Sequence, residues 1–327
     1  MLKWPFGSSD KQAPTIDDPH WERALIQKMA LEFLREQRRR ARWGLFFKLA
    51  GLTYVVVILV MVYSDGLSEV SGTESAHTAL VEVKGLISAD TEASADHVIT
   101  ALRKAFEAKH AKGIIIRINS PGGSPVQAGY INDEIHRLKA EHPDKPVYAV
   151  AVDACASGGY YIAVAADEIY VDKASLIGSI GVRMGSFGFH ELIEEWGIER
   201  RLLTAGEHKA LLDPFQPLEH QDQAFAQQLL DTLHQQFITA VKTGRGERLQ
   251  EHRDLFSGLI WTGEESIRLG LADGLGSSSQ VAREIIGAET IVRYSRKQDL
   301  FDRLVDRLGV AVASQLAQMM SVERLRF

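Results

Sequence analysis

GIIIRINSPGGSP, residues 113 to 125, opens as one kind of structure and ends as another. Four isoleucines among its first seven residues suit a strand buried on both faces, the kind found inside a parallel sheet. SPGGSP then stops it. The prolines lack an N–H to pair, and the glycines admit backbone angles closed to other residues. The flanking sequence repeats this alternation. Residues 79–87 (ALVEVKGLI) read as a strand and 93–110 as an amphipathic helix. Residues 126–141 read as the next helix and 146–152 (PVYAVAV) as another buried strand. A helix follows to residue 165, then a strand in DEIYVD. Strand and helix taking turns imply βαβ units and a parallel sheet, so the fold class is α/β. Beyond it, 219–242 read as a long helix and TGEESIRLGLADGLG as helix, turn and short strand. No internal repeat and no second core intervene. One domain is expected over residues 76–290, with an extension over 291–327 whose residues 298–326 have the pattern of an amphipathic helix.

Composition narrows the class. The chain has 327 residues and a net charge of −6, with 45% hydrophobic and 24% charged residues, the balance of a globular protein. A mildly acidic chain offers no reason to expect nucleic acid as a partner. A single cysteine, Cys155, excludes an intramolecular disulfide framework and a cysteine zinc cluster.

Compartment is written nearer the start. Residues 43–63, WGLFFKLAGLTYVVVILVMVY, carry one charge, Lys48, whose stem can reach back to an interface. About 20 apolar residues span a bilayer core as a helix. Residues 35–42 (REQRRRAR) hold five arginines, while residues 64–78 hold three acidic residues and no Lys or Arg. The charge bias places the N-terminus in the cytoplasm and the remainder outside it. A cleaved signal would need an n-region of over forty residues and an A-x-A-like site after Tyr63, and neither suits. An uncleaved transmembrane anchor is therefore expected at 43–63, after a cytoplasmic tail at 1–42 and before a linker at 64–75.

The chemistry centres on ACASGGYYIA, residues 154–163. Ser157 stands where a buried strand gives way to a helix, and a helix N-terminus offers free N–H groups and positive potential. Either the two glycines let backbones touch, or the serine is a nucleophile whose oxyanion those amides hold. NSPGGS, residues 119–124, also ends a strand, and strand ends of a parallel sheet share one edge. The two glycine loops should face each other, with Gly122-Gly123 able to offer a second N–H. Pro121 before glycine also fits an ordinary turn. No histidine lies in either loop. Lysine is the other base used with serine, provided it is neutral, which means a fall of about three pKa units from 10.4. Lys209, followed by Ala-Leu-Leu, is the candidate with an apolar neighbourhood.

NSPGGS, ASGGYYIA, SLIGSIGV and AGEHKALLDPF together resemble the signal peptide peptidase A (SppA) family of membrane-bound serine–lysine peptidases, in its short single-domain form. The likeness runs over residues 79–286. It implies a ClpP/crotonase-type superhelix of ββα units. Ser157 matches the nucleophile, Lys209 the general base and Ser179 the serine that orients the lysine; by its surroundings alone Ser179 is a turn serine. Gly158 and Gly123 match the backbone donors of the oxyanion hole. His208 departs from the pattern, standing where an aromatic residue is common. The resemblance further implies no metal or organic cofactor, and homo-oligomers whose sites combine residues of neighbouring protomers. Substrates would be remnant signal peptides and other hydrophobic peptides at the plasma (inner) membrane, the peptidase domain lying on its extracytoplasmic side. SohB-type peptidases share ASGG and GSIGV, but Asp-Pro-Phe after the lysine is closer to SppA. A crotonase-like acyl-CoA enzyme would need carboxylates at the glycine loops, where only Asp153 is near, as a loop cap. A non-catalytic membrane scaffold has no need to keep both Ser157 and Lys209.

Overall fold

The computed structural model describes residues 21–67 and 75–295; of residues 21–28, 32, 41 and 58–67 it describes the backbone alone. The chain forms two compact units, one ending at Ser68 and one beginning at Glu69. The described residues of the first form one helix, α1, Trp21–Leu67. Its side chains described between Trp43 and Val57 are exposed. Among the described residues no helix is long and apolar enough to cross a membrane. The expected span at 43–63 runs past Val57 into residues whose side chains lie outside the description. The helix also continues through Leu67, where a linker was expected. Residues 298–326 lie outside the described residues.

Among the described residues the second unit is built on one eight-stranded sheet. In chain order its elements are β1 (His77–Lys84), α2 (Ala95–Glu107), β2 (Ala111–Ser120), α3 (Pro125–Glu141), β3 (Val147–Ala156), α4 (Gly158–Ala163), β4 (Glu168–Val171) and β5 (Leu176–Gly178). These are followed by α5 (His190–Glu195), α6 (His220–Arg245), β6 (Ile260–Thr262), α7 (Gly263–Arg268), β7 (Gly274–Leu275), a last helix from Ser278 to Ile286, and β8 (Ile291–Arg293). The spatial order is β6-β5-β3-β2-β1-β8, with β4 and β7 branching from β3. Every pairing is parallel except β5 with β6. The alternation expected from sequence is thus present as a mixed α/β sheet.

The isoleucine run explains the layering. Ile114, Ile116 and Ile118 face the large core with Val98, Leu102 and Phe106 of α2 and Ile131 and Ile135 of α3. Ile115 faces the other way, into a smaller core with Leu80, Val150, Val281 and Ala282. Burying each such side chain contributes roughly 1.5–3 kcal/mol. Beyond Ile115 the second face is not apolar: Arg117 pairs with Glu82, which also meets Arg293 at 3.0 Å. So β2 is buried on both faces only in its first half.

The feature that positions the site is a fork in β3. Its first half, Tyr148–Val150, pairs with β4, and its last three residues, Ala154–Ala156, pair with β5. Ala154-Cys155-Ala156 of the serine corner is therefore strand. Cys155 is fully buried in the large core, where burial pushes its thiol pKa up.

Candidate active site

Ser157 follows the fork directly. Its backbone stands at φ 51°, ψ −121°, a region costly for a residue with a Cβ, by about 1–3 kcal/mol. Two hydrogen bonds hold it there. Its N–H donates to the Gly178 carbonyl at 2.8 Å, and its carbonyl accepts from the Tyr161 N–H at 2.9 Å. Strand pairing continues into the elbow on one side, and α4 begins on the other. The side chain is left half-buried at the corner, away from the core.

The loop after β2 closes against this corner. The Gly122 carbonyl accepts from the Ile87 N–H at 2.9 Å, and the Ser124 N–H donates to the Ile87 carbonyl at 2.8 Å. Ile87 thus clamps the loop from both sides of Gly123. The N–H of Gly122 turns inward to the buried Ser120 hydroxyl at 3.1 Å. Among the described residues neither the Gly123 N–H nor the Gly158 N–H has an acceptor. The two amides are close, since a Cβ on Gly158 would stand 3.3 Å from the Gly123 nitrogen. Gly122, at φ 103°, has no room for a side chain: its Cβ would lie 2.6 Å from that of Ser157 and 2.8 Å from the Gly158 nitrogen. The glycine loops face each other, as the shared sheet edge predicts.

Ser179 lies one residue past the Ala156–Gly178 pair and so stands beside Ser157. It too has a positive φ, 52°, fixed by its N–H donating to the Leu259 carbonyl at 2.8 Å. The next carbonyl, of Ile180, accepts from Nε2 of His234 on α6 at 3.1 Å. Ser157, Gly158, Gly123 and Ser179 are thereby collected on one edge. Lys209 is not joined to them by any hydrogen bond. It sits on a turn whose N–H donates to Gly206, and its side chain is exposed.

The segment that carries Lys209 is unusual for its exposure. Between Arg183 and Glu219 only α5 is regular, and Phe187, Trp196 and Leu203 are exposed, Leu203 by 96%. The segment is held to itself: Arg200 meets Asp213 at 2.6 Å and lies 4.8 Å from the Phe215 ring centre. A recess of about 760 Å³ opens between it and the start of α6, lined by Phe187, His208, Leu211 and Asp222. His208 lies 3.7 Å from the Asp222 carboxylate. Asp153, expected as a loop cap, is instead within β3 and accepts from the Asn119 side chain at 2.7 Å.

Ile87 and His234 were not singled out from sequence. Ile87 acts through its main chain, which leaves no mark on residue type. His234 lies in a regular helical run with nothing nearby to distinguish it. Among the described residues no group of His, Cys, Asp and Glu is arranged to hold a metal.

Residues 139–290 match peptidase family S49, a span that includes Ser157, Ser179 and Lys209. The chain is 47% identical over 210 residues to a Na(+)/H(+) antiporter NhaA of Brucella melitensis, covering 64% of this chain and 28% of that protein. It is 32% identical over 244 residues to the chloroplastic serine protease SPPA of Arabidopsis thaliana, covering 72% and 36%. It is 31% identical over 199 residues to a protease candidate of Synechocystis sp., covering 61% and 69%. The chain thus spans about a third or less of the length of the first two relatives.

Proposed function

Because the chain belongs to peptidase family S49, the SppA family, we propose that it is a membrane-anchored serine endopeptidase using a Ser157–Lys209 dyad. The observation that carries this is the pair of unclaimed amides, Gly123 and Gly158, set against a serine held at positive φ. Such amides have a purpose if an oxyanion forms between them, where each is worth several kcal/mol in the transition state.

The chemistry follows from that placement. Neutral Lys209 takes the proton from Ser157 Oγ, and Oγ attacks a peptide carbonyl. Its oxygen, now negative, accepts from the N–H groups of Gly123 and Gly158. Lys209 returns the proton to the leaving amine, and water then releases the acyl group from Ser157. Ser179, beside Ser157, orients the ammonium.

Among the described residues of a single chain Lys209 is exposed, with no apolar cover over its side chain. A neighbouring copy supplies what is missing: apolar cover for the lysine, and the serine of the composite site. Exposed Phe187, Trp196 and Leu203 suit burial between copies. Substrates are hydrophobic, extended peptides, remnant signal peptides foremost, reached from the bilayer by an enzyme anchored through residues 43–63. The tail before the anchor is cytoplasmic and the peptidase domain lies on the other side of the membrane.

The test is cleavage of a signal-peptide-like substrate by the full chain, Ser157→Ala and Lys209→Ala, with assembly size recorded for each. Both variants should assemble and lose about 10³-fold or more in kcat. Full activity in Lys209→Ala would remove lysine as the base, and equal activity in all three would remove the dyad altogether.

A further inference from the structure

Helix α1 has a second character besides its apolar half. At about 100° per residue, Arg35, Arg38, Arg39 and Arg42 fall within an arc of about 100°. The fifth arginine, Arg40, points elsewhere and is ion-paired with Glu36 at 2.8 Å. The four are exposed, and among the described residues none of them is ion-paired. Glu32 lies at the outer margin of the arc, one turn before Arg35. One residue past Arg42 begins an aromatic cluster. Trp43 lies 5.8 Å from both Phe46 and Phe47, whose rings are 5.7 Å apart. Phe46 falls on the arginine side of the helix by the same angular count.

That order, basic face, aromatic cluster, apolar run, matches the depth profile of one bilayer leaflet. Aromatic rings favour the boundary between hydrocarbon and headgroups. The headgroup layer is about 5–8 Å thick on each side. Arg38 to Arg42 lie within about 8 Å of Trp43 along the helix axis. A cytoplasmic arginine face at that depth meets phosphates directly, and guanidinium groups pair with phosphate oxygens two at a time.

We propose that the Arg35, Arg38, Arg39 and Arg42 face of α1 binds anionic phospholipid headgroups, and that the chain therefore prefers anionic over zwitterionic bilayers. The inference rests on the membrane anchoring proposed above. It goes beyond topology, because a charge bias that sets orientation does not specify which lipid headgroups lie beside the helix.

The full chain would be reconstituted with spin-labelled phosphatidylglycerol or phosphatidylcholine, and the relative association of the two lipids measured at low and high salt. A several-fold preference for phosphatidylglycerol is expected, weakened by 0.5 M salt, since basic residues near an anionic surface act electrostatically. The triple variant Arg38→Gln, Arg39→Gln, Arg42→Gln should bring the preference close to parity. Arg40→Gln, on another face, should leave it unchanged. Incorporation into both lipids with equal association, or a loss in Arg40→Gln as large as in the triple variant, overturns the arginine face while leaving the anchor intact. Failure to incorporate into either bilayer overturns the anchor together with the face.

Discussion

The amide of Ser157 is 2.8 Å from the carbonyl of Gly178, so the strand pairing of β3 with β5 ends on the serine itself. That bond ties the elbow to the residue before Ser179. It places two serines with nearly equal positive φ, 51° and 52°, side by side. The geometry of the corner therefore depends on sheet register as well as on its glycines.

Strain at Ser157 leads to the first prediction. Glycine tolerates positive φ without a Cβ penalty. Ser157→Gly should abolish peptidase activity yet leave the fold as stable as before, or more stable by up to about 1 kcal/mol. Urea midpoints of the full chain and the variant would check this. A clear loss of stability would mean that the serine side chain, not the backbone, holds the corner.

Two glycines close in sequence should respond in opposite ways. Gly122→Ala forces a Cβ to 2.6 Å from that of Ser157 at φ 103°, and should cost roughly 2 kcal/mol or more, along with most of the activity. Gly129, inside α3, has nothing within 4 Å of a built Cβ. Gly129→Ala should stabilise by about 0.5–1 kcal/mol and leave kcat unchanged. Thermal melts with activity assays on both variants would separate the two cases.

Much of this was legible in the sequence because the informative residues are extreme. The β-branched isoleucines of β2, stopped by SPGGSP, favour a buried strand, and paired glycines after two strands put both loops on one edge. What stayed hidden depends on the main chain or on other elements. The clamp by Ile87 uses only its N–H and C=O, so residue type cannot reveal it. The fork in β3 is a matter of which neighbour each half pairs with, and VYAVAVDACA reads as a plain strand throughout. Lys209 was found by motif, but motif says nothing of its exposure in a single chain. That exposure follows from a segment whose apolar side chains find no core among the described residues.

Acid should weaken the helix layer through Glu134. This carboxylate is mostly buried and accepts from Arg137 at 2.7 and 2.9 Å and from Arg103 at 2.7 Å. The Arg137 hydrogen bonds foremost, then that of Arg103, lower its pKa from 4.5 to about 2 against the opposing effect of burial. A depressed carboxylate pKa stabilises the fold above the unfolded value and loses that contribution as pH falls toward the folded one. The loss should therefore fall between about pH 4.5 and 2 and amount to roughly 1–3 kcal/mol, because both arginines are partly exposed. Denaturation across that window should show a smaller pH dependence in Glu134→Gln than in the unaltered chain.

The end of α6 is fixed by an ion pair of a different kind. Arg245 is 1% exposed and grips Asp273 at 2.7 and 2.9 Å while donating to the Gly270 carbonyl at 2.8 Å. Removing one partner strands the other in the core, at a cost of about 3–5 kcal/mol. Asp273→Ala should lose that much, and more than Arg245→Met, which leaves the Asp273 carboxylate still paired with Arg248 at 3.3 Å. Chemical denaturation of the two variants gives the comparison, and equal losses would show that the pairing matters less than the packing of the arginine stem.

The composite site makes the sharpest prediction, because it fails in a way that a site within one chain cannot imitate. Ser157→Ala and Lys209→Ala are each expected to be inactive alone. If Ser157 of one copy works with Lys209 of its neighbour, unfolding and co-refolding the two variants in equal amounts creates interfaces that pair an intact serine with an intact lysine. Random mixing around a ring makes about a quarter of the interfaces complete, so about a quarter of the original activity should return. A site formed within one chain would return none, since no subunit then carries both residues. The exposed side chain of Lys209 and the bare apolar side chains around it lead to the first outcome.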